Sequence, residues 1–491
     1  MLSRSIDCVK DMRPSRKGGH SLLVALGIVL KGAGAAIALI LMLCPVAFGQ
    51  GASGGEAVSG SPSKHYELVN GRWFDGREFQ DATFYTIDGR LTKTKPAVVD
   101  ERIDLKGGFV VPPFGEAHNH NVEGPWNLDA VVARYLHDGV FYVKNPNSIR
   151  EFTGQIAARI NRPEGIDVVF ANAGLTSAGG HPVPLYEHVL REFRYRAVIG
   201  EVPPGWFNNR GYVVIDREED IQNKWSSIVA GKPNFLKVFL VHSEDRAPPR
   251  LGDGPHGRRG LDSELVPLIV ARAHQARVRV AAHVETAADF RLALSAGVDE
   301  MAHVPGWFLA PTDQDSRMML TEEDARLAAK AGVIVTTTTV AMKPAESGHG
   351  QHAPHHDAHG THSQGGHALS MDSTLWQRAK AVQRHNIGLL HRHAVKLAIG
   401  SDHAETSLAE ALHLHELGIF DKLTLLNIWC EQTPQAIFPE RRIGRLQEGY
   451  EASFLVLRDN PLERFEAVTQ IDLRMKQGHI LAVEKGEPWM H

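Results

Sequence analysis

The chain has 491 residues, 43% of them apolar and 22% charged, which is enough for one large domain and an accessory one and is ordinary for a globular protein. A formal net charge of −4 and the absence of a basic stripe exclude nucleic acid as the expected partner. Of the three cysteines, Cys8 and Cys44 fall in an N-terminal leader, so Cys430 is left as a single thiol and no intramolecular disulfide is expected in the remainder.

The leader carries Arg4, Lys10, Arg13, Arg16 and Lys17 ahead of an apolar stretch from Leu22 to Phe48, and Ala47-Phe48-Gly49 places small residues before a cut at Gln50. That layout predicts a secretory signal over residues 1–49, with an uncleaved membrane anchor through residues 21–48 as the alternative. The expected destination is therefore export, to a periplasm or the outside. A Gly/Ser/Ala/Pro linker fills 50–64.

From Tyr66 to about Val99 short β-like runs alternate with turn signals, Asn70-Gly71 and Asp88-Gly89-Arg90 among them, both read as hairpin turns. At Val110 the texture changes to strand–helix alternation. Eight strand candidates follow: Val110 onward, Val140–Val143, Asp167–Ala171, Asn234–Val241, Val278–His283, Asp299–His303, Val333–Thr339 and Val395–Asp402. Helices separate them, opened by Asn127 and by Thr321-Glu322-Glu323-Asp324, and stopped at Gly139, Gly297 and Gly332. This rhythm predicts a (β/α)8 TIM-type barrel over 110–439. The tail returns to β texture at Ala452–Leu457 and Ile471–Gly478, so segments 65–109 and 440–487 are expected to build one small β-sandwich from both ends of the chain. Residues 349–367 form a His-rich insertion with two readings, a polar loop and a metal-capturing tether.

Barrels of this kind place chemistry at the C-terminal ends of strands. His118 and His120, one residue apart after Glu116-Ala117, can aim two imidazoles at one point. Lys237 lies inside the apolar run Phe235–Val241, where an unpaired ammonium costs several kcal/mol or becomes a neutral amine. A neutral amine can take up CO2 as a carbamate, an anionic oxygen ligand; otherwise it needs an acid such as Asp402. His283, His303 and Asp402 end three further strands. Each alone could be an ordinary rim residue or helix cap, but together they supply imidazole, modified amine and carboxylate.

With these residues the chain resembles the amidohydrolase superfamily of metal-dependent hydrolases, in its prolidase-like and imidazolonepropionase-like branch. The matching motifs are His118-Asn119-His120, Leu175-Thr176-Ser177-Ala178-Gly179-Gly180-His181, Lys237, Ala282-His283, Ala296–His303, Ile399-Gly400-Ser401-Asp402 and Ile443–Ser453. The chain departs from the family pattern at Pro113-Phe114-Gly115-Glu116, where a Gly-aliphatic-aliphatic-Asp run is usual, and at Glu451-Ala452-Ser453-Phe454.

The resemblance implies two divalent cations, for which zinc suits the ligands, with manganese, iron or cobalt as alternatives. His118, His120 and Asp402 would hold one, His283 and His303 the other, and carbamylated Lys237 would bridge them. Asp402 would take the proton of a metal-activated hydroxide, and His181 would touch substrate or sit behind the site. The expected activity is hydrolysis of a C–N bond in a small amide or dipeptide-like substrate. A cyclic amide or ester hydrolase, or a deaminase, is the alternative on the same scaffold; an inactive periplasmic metal-binding protein is the alternative of another class. Trp126, Trp307, Phe308 and Arg246 are candidates for substrate contact by position alone. Nothing in the sequence decides the oligomeric state, a homo-oligomer included.

Overall fold

In the computed structural model, residues 64–245, 257, 259–343, 373–402 and 405–482 are described. The 1–49 leader, the linker up to residue 63, Arg246 and the 349–367 insertion lie outside them.

Two parallel sheets form the larger layer system. Seven strands run in the order Tyr212–Val214, Gly174–Thr176, Phe235–Phe239, Arg279–His283, Glu300–Met301, Ile334–Thr336 and Lys396–Ala398. Three more, Phe114–Glu116, Val140–Asn145 and Asp167–Phe170, make the second sheet. Backbone hydrogen bonds join the two at both margins: Ala117 N to Ile399 O (2.8 Å) and Asp402 N to His118 O (2.7 Å) on one side, Asn234 N to Phe170 O (2.9 Å) on the other. The strands are buried on both faces, which is why they read as continuous apolar runs; Val140, Phe141, Tyr142 and Val143 are all fully inaccessible.

Helices follow the strands as their sequence signals direct. Thr286 and Thr321 each accept a hydrogen bond from the amide three residues on, while Asp289 and Asp324 reach back, so both helix starts are capping boxes. Gly297 and Gly332 end those helices in the left-handed conformation. Cys430 is buried in the helical run after Lys422, as packing.

The terminal segments share one continuous eight-stranded sheet. Its order is His479–Ile480, Ile471–Lys476, Phe454–Leu457, Phe109–Val111, Tyr66–Phe74, Phe79–Ile87 and Arg90–Thr92, with Glu101–Asp104 also paired to Tyr66–Phe74. Two readings of the sequence change here. Val110 belongs to this sheet, between the N- and C-terminal strands, and not to the first strand of the parallel layer. Pro112 and Pro113 have no N–H to continue either ladder, so the chain leaves one sheet and enters the other across them. Asn70-Gly71 is a bulge within Tyr66–Phe74, with Asn70 at φ 55° and the register slipping between Leu68 and Gly71. Asp88-Gly89, both at positive φ, is the hairpin turn expected.

Candidate metal centre

The predicted residues lie in or just after the parallel strands. His118 and His120 follow Phe114–Glu116; Lys237 lies in Phe235–Phe239; His283 ends Arg279–His283; His303 follows Glu300–Met301; Asp402 follows Lys396–Ala398. Among the described residues, His118, His120 and Asp402 come together with their ligand atoms all within 4.8 Å of one another. Asp402 Oδ1 stands 3.6 Å from His118 Nε2 and 3.5 Å from His120 Nε2.

Hydrogen bonds behind these rings select the nitrogen that faces Asp402. His118 Nδ1 is 2.9 Å from Ala302 O, and a carbonyl only accepts, so Nδ1 carries the hydrogen and Nε2 keeps its lone pair. His120 Nδ1 makes the same, longer contact with Asn147 O at 3.4 Å. Burial holds His118 well below its ordinary pKa and takes His120 down to about 4, so both imidazoles are neutral. Two neutral imidazoles and a carboxylate at this spacing fit a divalent cation.

The approach of the strands depends on Gly400. A Cβ there would stand 2.8 Å from His118 N and 2.7 Å from Thr336 Cγ2. The clamp beside it is Glu116, fully buried, which accepts from His118 N (3.2 Å), Ser401 N (2.9 Å) and Ser401 Oγ (2.6 Å). Burial pushes its carboxyl up to about 8 against these three donors. The residue that breaks the family's usual Asp run is thus a carboxyl tying the first strand to the last.

His303 lies next to His118, ring centroids 4.4 Å apart, and His283 is 4.5 Å beyond His303. His283 Nε2 is 3.3 Å from Glu285 Oε1, whose other oxygen is 3.2 Å from His242 Nε2. His181, preceding a cis proline, packs its ring 4.8 Å from His283. Trp307 stacks on His303 at 4.2 Å and Phe308 packs against Trp307. Trp126 stands apart, in an aromatic cluster with Phe152 and Tyr195. Tyr195 in that cluster belongs to the helix Leu185–Tyr195, which the sequence reading passed over, and Asn147 joins this helix to His120 by donating to the Tyr186 hydroxyl at 2.8 Å.

Lys237 is 2% exposed; burial takes its amine down to about 7, with Asp402 and Glu300 opposing. A second buried lysine, Lys144, is paired with Glu300, which also accepts from Thr336 Oγ1 at 3.2 Å. The Lys144 amine sits 4.1 Å from the centroid of the Phe235 ring. Neither Lys144 nor Glu300 stood out in the sequence, although Lys144 lies near the end of an apolar strand just as Lys237 interrupts one.

The fold is that of known amidohydrolases and prolidases. An amidohydrolase crystal structure matches at a TM-score of 0.63 and 17% identity, over 86% of this chain and 100% of that one. The A. niger ochratoxinase matches at 0.62 and 15%, over 85% and 96%. A prolidase complexed with N-methylphosphonate-L-proline matches at 0.61 and 16%, over 85% and 99%. No family model matches the chain, and no curated protein matches its sequence.

Proposed function

We propose that this chain is an exported, metal-dependent amidohydrolase of the prolidase-like branch that cleaves a C–N bond of a small amide or dipeptide-like substrate, on a (β/α)8 barrel. The observation that carries the reading is the gathering of His118 Nε2, His120 Nε2 and an Asp402 oxygen from the first and last strands of the parallel layer. The motif resemblance and the prolidase and amidohydrolase folds support it. Export rests on the basic, then apolar, leader.

His118, His120 and Asp402 would hold one cation, zinc suiting the donors, and His283 with His303 a second. A divalent cation held there supplies a Lewis acid for the substrate carbonyl and lowers the pKa of the attacking water. Lys237, as a neutral amine, could add CO2 to give a carbamate and release one proton, which would turn a poor ligand into an anionic oxygen donor. Asp402 receives the proton lost as the water oxygen bonds to the carbonyl carbon, and returns it to the nitrogen as the C–N bond breaks. His181, beside His283, would contact the substrate or the developing oxyanion.

Metal analysis of the purified chain, together with hydrolysis of a panel of N-acyl amino acids and dipeptides, tests the proposal. Asp402→Asn should lower kcat by about 10²–10⁴-fold with the fold intact. Turnover close to that of the parent would remove Asp402 from the mechanism, and a chain that takes up no metal would end the proposal.

A further inference from the structure

We propose that Thr338 is a positioning residue that fixes His303 as its Nδ1–H tautomer, leaving Nε2 as the nitrogen able to bind a cation. Its backbone is the first sign. Thr338 is fully buried at φ 54°, ψ 27°, the left-handed region that a β-branched side chain avoids. The surroundings hold it there. Glu410, itself buried, accepts from Thr339 N (2.9 Å), Thr339 Oγ1 (2.8 Å) and Val340 N (2.5 Å), while Thr338 N donates to Gly400 O at 3.1 Å.

The result of that strain is the position of one hydroxyl. Thr338 Oγ1 lies 2.8 Å from the Thr337 carbonyl oxygen and 2.8 Å from His303 Nδ1. A hydroxyl has one hydrogen to give. Given to the carbonyl, which cannot donate, it leaves the oxygen lone pairs to accept Nδ1–H, and both contacts become hydrogen bonds. Given to Nδ1 instead, it abandons the carbonyl. The arrangement that uses both contacts puts the ring hydrogen on Nδ1. His303 is thus oriented by a hydroxyl, as His118 is by the Ala302 carbonyl. A threonine at a strained backbone position is explained by this, since glycine would relieve the strain but lose the acceptor.

The inference deepens the proposed metal centre and rests on His303 lying in it, but it is testable without any metal. In the full chain labelled with 15N-histidine and kept in chelator at pH 8, long-range 1H–15N correlations report the tautomer of His303, whose signals are assigned by their loss in His303→Gln. The parent and Thr338→Ser should show Nδ1–H. Thr338→Val, which keeps the branching and loses the hydroxyl, should lose that preference. Thr338→Gly should lose it too, while Thr338→Ser keeps it, a rescue by the hydroxyl that a purely structural role of the side chain does not give. Nε2–H in the parent, or an unchanged tautomer in Thr338→Val, overturns the inference. A separate zinc titration should show about 10–100-fold weaker binding in Thr338→Val and not in Thr338→Ser; a parent that binds no zinc sinks the proposed function, while the tautomer still decides the role of Thr338.

Discussion

Lys144 and Lys237 are two lysines in one interior, and their different surroundings give them different states. Lys144 has Glu300 as a direct partner, whereas Lys237 feels Asp402 and Glu300 only through their fields and is left with an amine near neutrality. Breaking the first pair from one side should be costly. Lys144→Met strands the Glu300 carboxylate and is expected to lose about 3–5 kcal/mol in urea unfolding, most of it recovered in the Lys144→Met/Glu300→Leu double variant. A double variant no better than the single would mean the pair is not what the interior is organised around. At this scale the sequence was legible where a residue type was out of place. Lys237 in the middle of Phe235–Phe239 and the His118/His120 pair announced themselves. Glu116 did not, because its partner Ser401 lies 285 positions away and only pairing of the first and last strands brings the two together.

Helices were legible where their ends carry side-chain signals, as the Thr321/Asp324 capping box shows. Strands were legible as apolar runs, but Asn70-Gly71 and Asp88-Gly89 look alike in sequence and become a bulge and a turn. The difference is set by partners: Tyr66–Phe74 pairs on both sides of the bulge with Phe79–Ile87, so the strand has to continue. The helix Leu185–Tyr195 was missed although Leu185, Tyr186, Val189, Leu190 and Phe193 recur at helical spacing; that stripe is the signal that could have found it. On the helix Ser407–Leu417, His413 faces inward beside Trp376 and Gln383, and burial takes it down to about 4. Unfolding frees it to bind a proton below its ordinary value of 6.5. Between pH 6.5 and about 4 the unfolded chain therefore holds the extra proton, and stability falls as pH falls, by up to about 3 kcal/mol from this group. His413→Gln should flatten that part of the stability–pH curve; an unchanged slope would assign the acid sensitivity elsewhere.

The molecule is joined across its two sheet systems by charge as well as by apolar contact. Asp167, at the start of a parallel strand, accepts from Lys476 Nζ at 2.6 Å and from Arg441 Nη1 at 2.8 Å, both from the C-terminal segment, and Arg441 also grips Glu451. Lys476 and Asp167 are almost wholly buried. Asp167→Ala leaves two buried cations short of their anion and is expected to cost about 3–5 kcal/mol, read as a lower urea midpoint. A midpoint within about 0.5 kcal/mol of the parent would show the join to be apolar. The joint use of both chain ends was visible in the β texture of the two segments, but the boundary at Pro112-Pro113 and the shared carboxylate were not, since neither leaves a local pattern.

His118 and His120 are synthesised 282 residues or more before Asp402, and Glu116 must wait as long for Ser401. A nascent chain emerging from the ribosome therefore offers the two imidazoles without Asp402 until its last fifth is made. If the proposed centre takes up an ion, that uptake is a late event in the biogenesis of this protein. Under the proposed function, truncation before residue 402 would leave a product without the Asp402 ligand, which added metal should not rescue however much of the parallel layer it retains.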